Sequence, residues 1–294
     1  MNDRGVIYIL TRHQKYVPII NTSVVSLKKH MPDIHVTAFS EFPLDGPFDR
    51  VVPVQHSSYS DGFYDKTKFI SESPYDRTLF LDCDIYVVRP FPELFPLLDR
   101  YDCALTHEEY VNTDWNGDYP RPDIPASFPE FNTGVFLYRK SENMTQVFRT
   151  WEALHREYRE QHPDGRLDND QPFFRPAAYY SDARIATLGR EYNCKFRGQG
   201  YLNGQVKILH GHVKFEMKPE HLDKADKVLN AGTRPRVYIA GRVHQQEVYG
   251  RLWATHHAKS LGRFPLETSP IWKLKLRRLR QLGVSGVFRK ALGK

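Results

Sequence analysis

Short apolar runs alternate with longer amphipathic stretches from the start of the chain to about position 215. "GVIYILT" (5–11) is β-branched and aromatic, which predicts a first strand. Apolar residues at helical spacing over 17–30 predict a helix, and "IHVTAFS" (34–40) and "DRVVPV" (49–54) predict the next two strands. A polar segment, 55–73, carries a helix into a further strand, "TLFL" (78–81). Residues 90–108 predict a short helix and then a strand, and "FNTGVFLYRK" (131–140) predicts another strand. A helix over 141–160 starts at "SENM", and "KILHGH" (207–212) is a late strand. The stretch 107–130, rich in Pro, Asp, Asn and aromatics and without a period, predicts a long surface loop of the kind that often carries function. Strands alternating with helices imply the α/β class: a mostly parallel sheet flanked by helices on both faces.

Candidate chemistry starts where "TLFL" runs into Asp82-Cys83-Asp84. If the strand continues, a period of two places both carboxylates on one side and Cys83 on the other. Two adjacent like charges persist when something positive lies between them, and a divalent cation does this; solvation at a strand end is the alternative reading. Open parallel sheets bind ligands at the carboxyl ends of their strands, where this pair falls. Four other stretches gain meaning beside it. Asn132, Thr133 and Gly134 in "FNTG" read alone as a turn before a strand. Asp168, Asp170 and Gln171 in "LDNDQ" read equally as a helix N-cap. In "ILHGHVK", His210 or His212 suits a third ligand for Mn²⁺ beside two carboxylates, and Lys214 follows. Lys66 and Lys68 read alone as an exposed helix face.

Composition narrows the class. The 294 residues are 40% hydrophobic and 26% charged, as in ordinary globular proteins, and no apolar run is long enough to cross a bilayer. The first residues lack a signal-peptide pattern, and the three cysteines, Cys83, Cys103 and Cys194, are widely spaced. These features lead us to expect a cytoplasmic protein with reduced thiols. The net charge of +7 is local: residues 271–294 hold eight Lys or Arg and no acid, leaving 34 basic against 35 acidic residues elsewhere. A near-neutral body argues against a globular nucleic-acid binder, and with it against a metal-dependent nuclease.

Taken in order, these motifs resemble the metal-dependent GT-A glycosyltransferases, in particular the retaining branch that includes glycogenin and the lipopolysaccharide galactosyltransferases. The resemblance covers residues 5–215: a first strand ending in Thr11, Lys66 sixteen residues before Asp82, "LFLDCDIYVVRP", "FNTGVFLY", Asp170-Gln171 and the late "ILHG". It implies a GT-A-like domain over 1–265 that moves a hexose from a nucleotide-diphosphate sugar, UDP-linked, to a glycan or lipid-linked acceptor. It further implies Mn²⁺ (or Mg²⁺) held by Asp82, Asp84 and His210, with His210 preferred to His212. Donor contacts are expected from Thr11, Arg12, Lys66, Asp82, Cys83, Asn132, Thr133, Gly134 and Lys214, with Asp170 and Gln171 as the catalytic pair. "HGHVKFEMKP" departs from the usual pattern by keeping Gly211 and Lys214 at another spacing, and Leu167 stands where a carboxylate is common, with Asp168 shifted by one.

Other classes remain beside it. A nucleotidylyltransferase of related architecture needs a glycine-rich loop after the first strand, and "ILTRHQKY" has no glycine. A non-catalytic nucleotide-sugar-binding module is the third class. The tail, 266–294, sets Trp272, Leu276 and Leu279 at helical spacing among its cations, which predicts a basic amphipathic helix over 270–282. Its expected partner is an anionic membrane surface, placing the protein peripherally at the inner face of a membrane; packing on the body is the alternative.

Overall fold

The computed structural model describes residues 3–58, 62–108, 119, 121–163, 169–211, 218–232, 235–239 and 242–244. The chain divides into two compact units, Met1–Val243 and His244–Lys294. The tail helix expected over 270–282 lies outside the described residues, as do Asp168, His212 and Lys214.

In chain order the described residues form β1 (Arg4–Leu10), α1 (Val17–His30), β2 (His35–Ser40), β3 (Arg50–Pro53), α2 (Gly62–Phe69), β4 (Arg77–Leu81) and β5 (Ile85–Val87). A 3₁₀ helix over Pro92–Asp99 leads to β6 (Cys103–His107), β7 (Phe131–Arg139), α3 (Glu142–Gln161), α4 (Gln171–Tyr179) and β8 (Ile185–Thr187). Then come β9 (Gln199–Leu202), β10 (Ile208–His210), α5 (Pro219–Leu229), β11 (Arg236–Ile239) and β12 (Arg242–His244). Seven strands form one sheet in the order β3-β2-β1-β4-β7-β6-β8. All run the same way except β7, which is antiparallel to both neighbours. This is the mostly parallel, helix-flanked architecture expected from the sequence.

The alternation of β1 builds both cores. Val6, Tyr8 and Leu10 face one side, where α1 presents Ile20, Val24 and Leu27. Ile7 and Ile9 face the other, where α3 and α4 supply Val147, Phe148, Trp151, Phe173 and Phe174. Helix α3 starts as predicted: the Ser141 hydroxyl accepts from the Met144 amide at 3.2 Å, a side-chain N-cap.

Two expectations change. "DCD" does not continue the strand: β4 stops at Leu81, and residues 82–84 form a turn before β5. The late strand β10 does not join the large sheet but pairs antiparallel with β5. Both corrections share a cause. After Leu81 the chain bends out of the sheet, so the short β5 finds its hydrogen-bond partner in the equally short β10.

His155 on α3 is fully buried, with its ring stacked on Phe173 at a centroid distance of 4.3 Å and neither ring nitrogen hydrogen-bonded. Burial, aided by Arg159, lowers its pKa from 6.5 to about 3. The imidazole therefore folds neutral, and the unfolded chain takes up a proton more readily. This contribution to stability is intact above about pH 6.5 and declines as pH falls toward 3. We expect His155→Phe to flatten the loss of thermal stability between pH 7 and pH 4, with the parent losing on the order of a few kcal/mol more. Melting curves across that range check it; parallel curves for parent and variant would contradict it.

Candidate active site

The edge of the sheet at the carboxyl end of β4 collects the polar side chains. Because β7 runs antiparallel there, its first residues lie beside the last of β4: Leu81 pairs with Val135, and the Asp82 amide donates to the Gly134 carbonyl at 2.8 Å. The turn then sends Asp84 outward, and pairing of His210 with Ile85 brings the imidazole alongside. His210 Nε2 lies 3.6 Å from Asp82 Oδ2 and 3.4 Å from Asp84 Oδ1. One ligand atom from each of Asp82, Asp84 and His210 lies within 4.8 Å of the others. Divalent cations of the Mg²⁺ and Ca²⁺ type bind oxygens at about 2.0–2.6 Å, so ligand atoms around one ion sit roughly 3–5 Å apart, and this set fits. Carboxylate oxygens with one imidazole nitrogen suit Mn²⁺. Burial works against a charged His210, but the Asp84 and Asp82 carboxylates outweigh it and raise its pKa.

Two glycines shape this cluster. A Cβ on Gly134 would lie 2.3 Å from His210 Cε1 and 2.6 Å from Asp82 Oδ2, so any side chain there would displace both groups. Gly211 has φ +88°, in the left-handed region, which lets the chain turn away directly after His210 while its amide donates to the Asp84 carbonyl at 3.2 Å. The "HG" pair is thus a backbone requirement.

A second cluster lies behind the first. Lys66, on α2, is buried, whereas Lys68 is exposed. Lys66 Nζ lies 3.2 Å from Asp82 Oδ1 and 3.2 Å from Asp170 Oδ2, and it donates to Thr133 Oγ1 at 2.9 Å. The Thr133 hydroxyl in turn donates to Asp170 Oδ2 at 2.5 Å. Burial alone would favour a neutral lysine, but Asp170 and Asp82 raise its pKa and keep it charged. Three partners occupy the three ammonium hydrogens, so Lys66 holds two carboxylates in place instead of presenting a free charge to a phosphate. Asp170 stands at the N-cap position of α4, yet its side chain caps nothing; Asn169 Oδ1 accepts from the Gln171 amide instead. The cap reading of "LDND" therefore passes from Asp170 to Asn169. Gln171 Oε1 is buried with no hydrogen-bond partner, which leaves an acceptor for a ligand hydroxyl.

The remaining predicted residues fall into place around these clusters. Thr11 Oγ1 donates to Asp65 Oδ2 at 2.7 Å. Arg12 takes φ +62°, its amide donating to Glu41 and its guanidinium to the Ser57 carbonyl. Thr11 thereby ties the end of β1 to α2, and Arg12 ties the loop that follows to Glu41, just after β2, and to the segment before α2. Cys83 Sγ points to the Ile9 carbonyl; burial, then Asp82 and Asp84, hold its thiol well above the usual range. Asn132 was expected among the donor contacts. Its side chain instead lies in a buried row: Nδ2 donates to Glu108 Oε2 at 2.7 Å, and Oδ1 accepts from Asn193 Nδ2 at 2.7 Å and from the Gly134 amide at 3.1 Å. Asn193 Oδ1 lies 2.8 Å from His210 Nδ1, and Lys195 donates to Glu108 Oε1 at 2.7 Å. Glu108, Asn193 and Lys195 escaped the sequence reading. Glu108, a carboxylate directly after an apolar strand, had the same signal as Asp82; Asn193 in "EYNCKF" had none.

No protein-family model matches the chain, and no curated protein matches it. Among solved structures it is similar to the galactosyltransferase LgtC in complex with donor and acceptor sugar analogs, at 15% identity and a TM-score of 0.44 over 64% of this chain and 74% of that one. It is also similar to mouse xyloside xylosyltransferase 1 (14% identity, TM-score 0.47, covering 74% and 100%). A further likeness is to the glycosyltransferase GlyE of Streptococcus pneumoniae TIGR4 (16%, 0.43, 65% and 46%). Likeness at this level assigns no activity.

Two outcomes test the geometry. Asp84→Asn should leave the melting temperature near that of the parent, since it relieves repulsion between carboxylates, while weakening Mn²⁺ binding at least tenfold in calorimetry. Lys66→Met should destabilise the fold by about 3–5 kcal/mol, because Asp170 is left as an unpaired buried charge, and adding Asp170→Leu should recover much of that loss. Denaturant titration of the single and double variants decides; an additive double variant would dissociate the pair.

Proposed function

We propose that the chain is a metal-dependent glycosyltransferase that moves a hexose from a UDP-sugar, with retention, to a glycan or lipid-linked acceptor. The observation that carries this reading is the convergence of Asp82, Asp84 and His210 at the carboxyl edge of the sheet, joined through Asp82 to the Lys66–Asp170 pair. Mn²⁺ or Mg²⁺ held by that triad would neutralise the charge that gathers on the departing nucleoside diphosphate.

The chain's own residues hold everything else in position. Lys66 and Thr133 fix Asp170, while Asp82 is held by the same ammonium on one oxygen and turns the other toward His210. Gln171, at the first turn of α4, offers its unpartnered oxygen to the sugar near the anomeric carbon. In the transfer, the bond from the anomeric carbon to the phosphate oxygen breaks and one to the acceptor oxygen forms. The acceptor's proton passes to the leaving diphosphate. Thr11 and Arg12 would line the nucleotide side after β1, where Arg12 holds a left-handed backbone. The basic segment 271–294 would dock the enzyme on an anionic membrane carrying the acceptor.

A panel of nucleotide sugars incubated with Mn²⁺ tests the reading through release of free nucleoside diphosphate, with a chelator as control. We expect chelator-sensitive UDP release from one UDP-hexose. Pyrophosphate release from a nucleoside triphosphate and sugar phosphate would mark a nucleotidylyltransferase, and tight donor binding without turnover a binding module. Gln171→Ala should lower turnover about 10²- to 10³-fold while UDP affinity, measured by calorimetry, changes less than about threefold. A matching collapse of UDP affinity would move Gln171 out of the sugar site.

A further inference from the structure

We propose that Asn193 is a positioning residue that fixes the tautomer of His210, and that Glu108 sets the direction of the whole row through Asn132. The inference rests on the reading of Asp82, Asp84 and His210 as a metal site, but it concerns the protein's own hydrogen bonds. It starts from Glu108, whose carboxylate, held by Lys195, can only accept. Asn132 must therefore turn its amide nitrogen toward Glu108 and its carbonyl oxygen away. The backbone amide of Gly134, which can only donate, meets that same oxygen and fixes the orientation a second time. Asn193 must then offer Nδ2 to Asn132 Oδ1, which turns its own carbonyl oxygen to His210 Nδ1. A carbonyl only accepts, so His210 carries its proton on Nδ1, and the lone pair on Nε2 faces Asp82 and Asp84. Every amide orientation in the row is forced, because an acceptor-only group lies at one end and a donor-only group in the middle. Free imidazole would place the proton freely, and a proton on Nε2 would stand where a cation must bind.

The backbone sets the row in register. Cys194 bridges Leu209, with the Cys194 amide donating to the Ile208 carbonyl and the His210 amide to the Cys194 carbonyl, at 2.9 and 3.0 Å. Asn193 is fully buried beside His210, so it exchanges little with solvent and its amide has no cheaper partner. A carbonyl or carboxylate behind a metal-bound histidine is a general device for orienting the ring, and its loss lowers metal affinity about 10- to 100-fold.

The test reads the histidine in the metal-free full-length protein, by ¹⁵N-resolved imidazole spectra at alkaline pH where the ring is neutral. We expect a protonated Nδ1 and a bare Nε2 for His210, with assignment by His210→Gln. In Asn193→Leu the proton should shift substantially to Nε2, and Mn²⁺ affinity, measured from the free-ion electron paramagnetic resonance signal, should fall about 10- to 100-fold. Asn193→Asp keeps an acceptor toward Nδ1 and should keep the parent tautomer, which separates positioning from simple loss of fold. A proton on Nε2 in the parent, or an unchanged tautomer in Asn193→Leu, overturns the proposal. If the tautomer behaves as expected while parent and Asp84→Asn bind Mn²⁺ equally poorly, the positioning role stands and the metal reading fails.

Discussion

Everything at the carboxyl edge of the sheet depends on how one buried ammonium is shared. Three acidic groups, Asp82, Asp84 and Asp170, are brought together where strands end, and without compensation their repulsion would open the site. Lys66 compensates from below, bonded to Asp82, Asp170 and Thr133 inside the protein. Its position divides the acids by role. Asp170 is committed to the interior, whereas Asp82 is only half committed and keeps an oxygen for the outer side with Asp84 and His210. Such a pair adds little net stability over apolar residues of the same size, but removing one partner is costly, so its contribution is to geometry.

The same economy appears on the His210 side. Asn132, Asn193 and Glu108 form a buried row in which each polar atom is spent on a neighbour, and its output is the direction of one lone pair. Gly134 links the two halves: its amide joins the row, its carbonyl holds the Asp82 backbone, and its missing side chain makes room for both His210 and Asp82. The "FNTG" stretch therefore serves the front of the site and the wall behind it.

Much of this architecture is legible in the amino-acid pattern. The alternation of apolar runs is enough for an α/β sheet, because burial on both faces of a parallel strand demands it. Asp82, Asp84, His210, Lys66 and Asp170 stand out as candidates, because carboxylates and imidazole at strand ends are out of place unless a ligand or a partner accounts for them. The preference for His210 comes from resemblance, since period two on a strand leaves His212 equally placed.

Tertiary structure decided the rest. The turn at 82–84, which sequence period rendered as strand, follows from the pairing of β5 with β10, a contact spanning more than a hundred residues. Lys66, expected as a donor contact, is an internal counter-ion because its ammonium meets carboxylates from the end of β4 and from the start of α4. Asn132 turned from the donor to Glu108 and Asn193 for the same kind of reason. By itself the sequence determined which residues carry charge and proton-binding capacity, and that most of them lie at strand ends. Which of them face a ligand and which face one another was decided by strand order and register, since a side chain's partners are set by distances through space that no local pattern encodes.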